Sequence, residues 1–275
     1  LHDLRPIGVF DSGVGGLTVL AALRRALPAE DLLYLGDTAR VPYGTRSATT
    51  VERYALRVAS HLYEDGIKAL VVACNTATTH ALPALTAAGR RAGVPVLGVI
   101  EPGVAEALRR TRSGRVAVLG TEGTIRGGRY QALLAPHVRE VQARACGLFV
   151  GLAEEGWTDG EVARLVAERY LAPLRDGPDT VILGCTHYPL LRGVIEAALP
   201  GVAIVDSAES TAVATRERLA EAGLLRQAGT GRSRFLVTDN VERFQHAGRR
   251  FLGVVPKPVA LVDLDTPTGV FGGAA

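Results

Sequence analysis

Cysteine is scarce in this chain of 275 residues, with only Cys74, Cys146 and Cys185 present. Three cysteines cannot all pair with one another, and those that end strand-like apolar runs make poor disulfide partners. The expectation is a reduced protein of the cytoplasm. Lysine is scarcer still. Lys68 starts an apolar run and Lys257 sits between two prolines, so neither suits a Schiff base to pyridoxal phosphate. Basic residues form no run interleaved with aromatics, and the net charge is only +3, so no nucleic-acid partner is expected. No apolar stretch approaches the roughly 20 residues that cross a bilayer, and no membrane association is expected. The N-terminus lacks the residue order of a signal peptide. The first strand begins within ten residues, so no N-terminal regulatory extension is expected.

What is present is an ordinary globular composition, 47% hydrophobic and 21% charged. The length suits one large α/β domain or two smaller ones. Continuous apolar runs of strand length alternate with amphipathic helical stretches, which predicts parallel sheet covered on both faces. The first series runs strand Ile7 to Phe10, helix Leu17 to Leu27, strand Leu32 to Leu35, helix Thr50 to Asp65, strand Ala69 to Ala73, helix Thr76 to Arg91 and strand Val96 to Val99. No element is assigned between Val99 and Arg115. The second series runs strand Arg115 to Leu119, helix Ile125 to Leu134, strand Val138 to Gln142, helix Asp159 to Leu174, strand Thr180 to Leu183, helix Leu190 to Leu199 and strand Ala203 to Val205. Helix Ala208 to Ala222 and a Gly-rich break lead to strand Phe235 to Val237, helix Val241 to Phe251 and strand Val259 to Val262. This tail is expected to return to the first sheet, with fraying over about the last ten residues.

Two segments rhyme. Leu70 to Thr76 and Val181 to His187 each run from a buried-strand pattern into a cysteine followed by small polar groups. In open α/β sheets ligands sit beyond the carboxyl ends of the strands. The groups at those ends are Asp11-Ser12, Asp37, Cys74-Asn75-Thr76, Thr121 and Cys185-Thr186-His187. If the two halves face each other, two sulfurs flank one ligand, which suits removal of a proton from one face of a carbon and return of one to the other. Helices are expected to begin at both cysteines, supplying amides to a thiolate.

Other chemistries remain open at this point. A cysteine with a nearby histidine is also an acyl-transfer nucleophile, as Cys185 and His187 could be. The cysteines and His187 lack metal-ligand spacing, so no metal is expected. Asp11 to Gly16 is a Gly-x-Gly-Gly turn before a helix, with Asp37 placed as the acid of a dinucleotide fold. Yet it lacks the full fingerprint, and the Asp11 charge opposes a pyrophosphate. Asp11 or Ser12 could alternatively cap that helix. Pro42-Tyr43-Gly44 reads as a turn or as a source of backbone amides for a carboxylate. Thr121 and Thr124 could hold another carboxylate, and Glu154 or Glu155 could face the site from a stretch too polar for core.

The segments Gly8 to Thr18, Gly36 to Gly44, Ala73 to Thr78 and Gly184 to Leu191 resemble the aspartate/glutamate racemase family, and within it the cofactor-independent enzymes acting on glutamate. The similarity spans residues 6–253 in order, and the ending beyond Val254 carries no family motif. The resemblance implies two α/β domains of doubly wound parallel sheet, related by a pseudo-twofold axis, with the active site in the cleft between them. Residues 1–98 would form the first, completed by 207–275, and residues 99–206 the second. It implies racemisation of L- and D-glutamate for peptidoglycan without a cofactor, with aspartate or another amino acid as the alternative substrate. Cys74 would deprotonate the D-enantiomer with help from Asp11, and Cys185 the L-enantiomer with help from Glu154 and His187. Substrate contacts would fall on Asp11, Ser12, Tyr43, Gly44, Asn75, Thr76, Thr121, Thr124, Thr186 and His187. Where family members often carry serine after the glutamate, this chain has Glu155. A homodimer is left open.

Overall fold

The computed structural model describes residues 3–264. Strand β1 (Ile7–Asp11) leads into helix α1 (Leu17–Ala26), then β2 (Leu32–Gly36), α2 (Ala48–Glu64), β3 (Ala69–Val72), α3 (Asn75–Ala92) and β4 (Val96–Gly98). Helix α4 (Ile100–Arg110) carries the chain to β5 (Arg115–Gly120), α5 (Glu122–Gly127), α6 (Arg129–Leu134) and β6 (Glu140–Ala145). Then follow α7 (Leu148–Glu155), α8 (Gly160–Leu171), β7 (Thr180–Gly184), α9 (Arg192–Ala198), β8 (Ala203–Asp206) and α10 (Ser207–Glu221). The tail contains β9 (Ser233–Val237), α11 (Val241–Leu252) and β10 (Val259–Leu261).

The strands form two sheets with every neighbouring pair parallel. The first has the order β10-β9-β2-β1-β3-β4 and the second β6-β5-β7-β8. The orders β2-β1-β3-β4 and β6-β5-β7-β8 are the same winding, so the rhyme between the cysteine segments reflects a repeated unit. In it β3 and β7 hold equivalent places. The fold class is α/β with two doubly wound parallel sheets, as the sequence predicts. The tail strand β9 pairs with β2, as expected of the returning segment. The expected fraying at the C-terminus falls mostly outside the described residues.

Side-chain alternation divides the core. Ile7, Val9, Leu32, Tyr34, Ala69 and Val71 join a central apolar cluster that also takes Ala117, Leu119, Val181 and Leu183 from the second sheet. Their alternate neighbours Phe10, Leu33, Leu35, Leu70 and Val72 pack under α2 and α3, while Val116, Val118 and Ile182 pack under α4 and α6. Period-two side chains on strands buried on both faces give this split. The shared cluster, with α10 packed on both α1 and α4, sets one sheet against the other.

Three local expectations are corrected. Residues 100–110 form α4, although Pro102 and Gly103 hide its pattern; proline is tolerated in a first turn because its missing N–H has no partner there anyway. The single helix expected over Ile125 to Leu134 is two, because Gly128 adopts φ +71° and ends α5. Between the expected strand ending at Gln142 and the helix from Asp159 no element is assigned, yet Leu148–Glu155 form helix α7, which buries Phe149, Leu152 and Ala153. Glu155, Gly156 and Trp157 at its end stay outside the core, as expected of that polar stretch. Among the described residues no helix is long and apolar enough to cross a membrane.

Candidate active site

Parallel strands present their carboxyl ends along one edge, and here those edges meet. Thr76 Oγ1 after β3 lies 2.9 Å from Thr121 Oγ1 and 3.2 Å from Thr124 Oγ1 after β5. Thr18 Oγ1 donates to the Thr186 carbonyl at 3.2 Å. Gly15 approaches the β7 end so closely that a Cβ there would stand 2.3 Å from Thr186 Oγ1 and 2.5 Å from His187 Nδ1. Only glycine fits that approach. Gly44 abuts Thr121 in the same way, with a Cβ reaching 2.8 Å from the Thr121 Cβ.

Cys74 caps α3, its Sγ accepting the Ala77 amide at 3.4 Å and its thiol donating to Ser12 Oγ at 3.6 Å. Burial, reinforced by the negative charge of Asp11, pushes this thiol up to about 12 against those two stabilising contacts. Asp11 does not cap α1; its Oδ2 accepts the Gly13 amide at 2.9 Å. Burial raises the Asp11 carboxyl above its usual range, opposed by the positive charge of His187 and by nearby amides. Asn75 Oδ1 accepts from the Tyr130 hydroxyl at 2.8 Å. Asp11 Oδ1 and Asn75 Nδ2 are buried and have no partner among the described residues. A buried polar atom without a partner costs about 1–3 kcal/mol, so a polar ligand reaching these two is favoured.

The Cys185 half is built differently. No α-helix begins at this cysteine; a 3₁₀ turn over Tyr188–Leu191 follows, contrary to expectation. Its Sγ instead lies 3.8 Å from His187 Nδ1, and His187 Nε2 lies 3.1 Å from Glu154 Oε1. Thr186 Oγ1 is 3.5 Å from the same Nδ1. Burial pulls the imidazole down, but its hydrogen bonds to Cys185 and Glu154 outweigh this and hold it up to about 10. The His187 hydrogen bond in turn holds the Glu154 carboxyl below its usual range against burial. The two sulfurs therefore have different neighbours, an aspartate and helix amides at one and an imidazolium–carboxylate pair at the other.

This pair has a measurable signature. Above its ordinary value of 6.5, His187 keeps in the folded protein a proton that the unfolded chain releases. Its stabilisation is full below about pH 6.5 and is lost as pH rises through about 10. The melting temperature is therefore expected to fall between pH 7 and 8.5, below the range of ordinary thiols, and His187→Gln should flatten that slope. An unchanged slope in the variant would contradict the ion pair.

Of the expected site residues, Asp11, Ser12, Cys74, Asn75, Thr76, Thr121, Thr124, Cys185, Thr186, His187 and Glu154 are gathered by these contacts. Glu155 is exposed. Tyr43 differs, because its buried hydroxyl donates to Asp37 Oδ2 at 2.6 Å. Its side chain holds the turn, and the turn's main chain is what remains for a ligand. Asp37 also accepts from Thr238 Oγ1 at 2.9 Å, so the acid required by the dinucleotide reading is engaged inside the protein. Sequence reasoning missed Tyr130, which orients Asn75, and Phe251, whose ring meets His187 edge-on at 5.3 Å. An aromatic within a helix pattern carries no signal of either role.

Residues 7–215 match the model of the Asp/Glu/Hydantoin racemase family. The chain belongs to the aspartate/glutamate racemase family. It is 55% identical over 255 residues to the glutamate racemase of Geobacter metallireducens, covering 90% of this chain and 93% of that one. The glutamate racemase of Thermus thermophilus in complex with β-chloro-D-alanine superposes with a TM-score of 0.87 at 48% identity, covering 96% and 99% of the two chains. That of Francisella tularensis in complex with D-glutamate gives 0.90 at 36% identity, covering 96% and 100%. As a member of this family, the chain is an isomerase acting on amino acids.

Proposed function

We propose that the enzyme interconverts L- and D-glutamate by a two-thiol mechanism without a cofactor, and that it supplies D-glutamate for peptidoglycan in the cytoplasm. The observation that carries this is the placement of Cys74 and Cys185 at equivalent strand ends, β3 and β7, of a repeated winding. In the reading, residues 1–98 with 207–275 form one half and residues 99–206 the other. The Cys185 thiolate takes the α-proton of L-glutamate, and the C–H electron pair passes onto the α-carbon and its carboxylate. Cys74 then delivers its thiol proton to the opposite face; D-glutamate is converted by the reverse sequence.

Asp11 assists Cys74, and His187 with Glu154 assists Cys185. The substrate ammonium is held by Asp11, whose unpartnered Oδ1 would accept from it, while the unpartnered Asn75 Nδ2 would donate to a substrate carboxylate. Carboxylate charge is met by Ser12, the main chain at Tyr43 and Gly44, the hydroxyls of Thr76, Thr121, Thr124 and Thr186, and His187. Donors aimed at a developing enolate-like charge in a site shielded from water supply the stabilisation a cofactor would otherwise give. The Francisella relative, in complex with D-glutamate, supports the substrate assignment.

Incubation of L-glutamate and of L-aspartate separately with enzyme in heavy water tests it. L-glutamate is expected to lose optical rotation and gain α-deuterium, with L-aspartate unchanged over the same period. Faster exchange of aspartate would replace the glutamate assignment with its alternative.

A further inference from the structure

We propose that helix α11 is a positioning arm for the Cys185 side of the site, with Arg250 and Phe251 as its positioning residues. The inference rests on the reading of Cys185 as the base for L-glutamate. Helix α11 lies between β9 and β10 of the first sheet, and its Phe244 ring packs 5.9 Å from Tyr34 on β2 and 6.3 Å from Phe235 on β9. It is anchored in one half of the molecule. Its side chains nevertheless reach Glu154 and His187 in the other half.

Arg250 Nη1 donates to the Glu154 carbonyl at 2.5 Å. That carbonyl lies in the last turn of α7, where main-chain acceptors have no helical partner and an arginine satisfies one. Arg243 Nη2 stands 4.0 Å from Glu154 Oε2, a weaker and exposed contact. Phe251 meets the His187 ring at 84° between planes. Glu154 is thus held by its main chain while its carboxylate fixes His187 Nε2, and Phe251 fixes the ring that turns Nδ1 toward Cys185. Two contacts from a segment distant in sequence define where one base sits. A displacement of about 1 Å in such a group lowers rate by up to about 100-fold.

The test must separate positioning from general loosening. Enantiomers have equal free energy, so kcat/KM measured from L- and from D-glutamate must fall together in any variant and cannot report which side is affected. Isotope effects can. Raising the transition state at Cys185 alone makes transfer of the label from α-deuterated L-glutamate more fully rate-limiting. Transfer from α-deuterated D-glutamate, at Cys74, then ceases to limit.

For Arg250→Ala, kcat/KM is expected to drop by about 10- to 100-fold. The isotope effect from the L-side is expected to rise and that from the D-side to approach one, with Arg250→Lys restoring part of the loss. Phe251→Leu carries the same test if Arg250→Ala does not fold. Unchanged kcat/KM, or two isotope effects that stay put or move together, would overturn the inference. Glu154→Gln is the reference. If it diverges as predicted and the α11 variants do not, only the positioning arm fails; if it diverges in the opposite sense, the assignment of Cys185 to L-glutamate fails.

Discussion

Replacing either Cys74 or Cys185 with serine is expected to lower glutamate racemisation by at least about 10³-fold, in both directions, while leaving the fold intact. General acid–base groups contribute about 10²- to 10⁴-fold each. In the proposed mechanism every turnover uses both thiols, one as base and the other as acid, so neither direction survives loss of one. Serine has nearly the same shape, and at position 74 its oxygen can still accept the Ala77 amide that the sulfur accepts now. Its hydroxyl is a far weaker acid than an ordinary thiol near 8.5, so it neither ionises nor gives up its proton at the required rate. The control is Cys146→Ala. Cys146 is buried in the central cluster, donates to the Arg144 carbonyl at 3.7 Å and follows β6, which has no counterpart cysteine on β2. That variant should keep activity within a few-fold. Polarimetry on both enantiomers, with circular dichroism to verify folding, decides the matter; full activity in Cys74→Ser would refute the mechanism.

The central strands were legible because they are buried on both faces, which makes them continuous apolar runs stopped by polar residues at one end. No charge interrupts the two that lead to the paired cysteines, Ala69 to Val72 and Thr180 to Gly184. The half-exposed edge strand β6, with Glu140, Gln142 and Arg144 in it, runs over Glu140–Ala145 and not over the expected Val138 to Gln142. The cysteines were legible as a pair because a repeated winding repeats its strand-end positions. Helix α4 was not, since proline and glycine sit near its start, before its apolar face becomes regular. The division at Gly128 was hidden as well, because a glycine between helical residues reads the same whether it continues or ends a helix. Glu154 was ambiguous from sequence because one carboxylate near another has no preferred face until a partner selects it. His187 makes that selection across 33 positions, and Arg250 across 96. Such contacts depend on how two sheets and a returning tail pack, which local patterning does not encode. Tyr43 shows the converse, a residue expected to contact substrate whose hydroxyl is spent on Asp37.

Lys68→Met is expected to destabilise the protein by about 3–5 kcal/mol, because it removes one partner of a buried ion pair. Lys68 Nζ lies 2.6 Å from Glu30 Oε2, and both side chains are almost completely excluded from solvent. The ammonium also donates to the carbonyls of Asp3 at 3.0 Å and Leu224 at 2.8 Å, while Glu30 Oε1 accepts the Arg226 amide at 2.7 Å. Four segments meet there: the N-terminus, the connection from α1 to β2, the start of β3 and the stretch after α10 that delivers the chain to β9. At roughly 2–4 °C per kcal/mol for a chain of this size class, the melting temperature should fall by about 6–20 °C. The double variant Glu30→Leu/Lys68→Met should recover part of that loss, since an apolar pair leaves no uncompensated charge behind. Recovery will be incomplete because the Asp3 and Leu224 carbonyls lose the Lys68 ammonium in both variants, and the Arg226 amide loses Glu30 in the double variant. Additive losses in the double variant would show that the two groups are not coupled. The tether lies at the opposite ends of the strands from the thiols, so the single variant should lose stability well before it loses turnover at 25 °C.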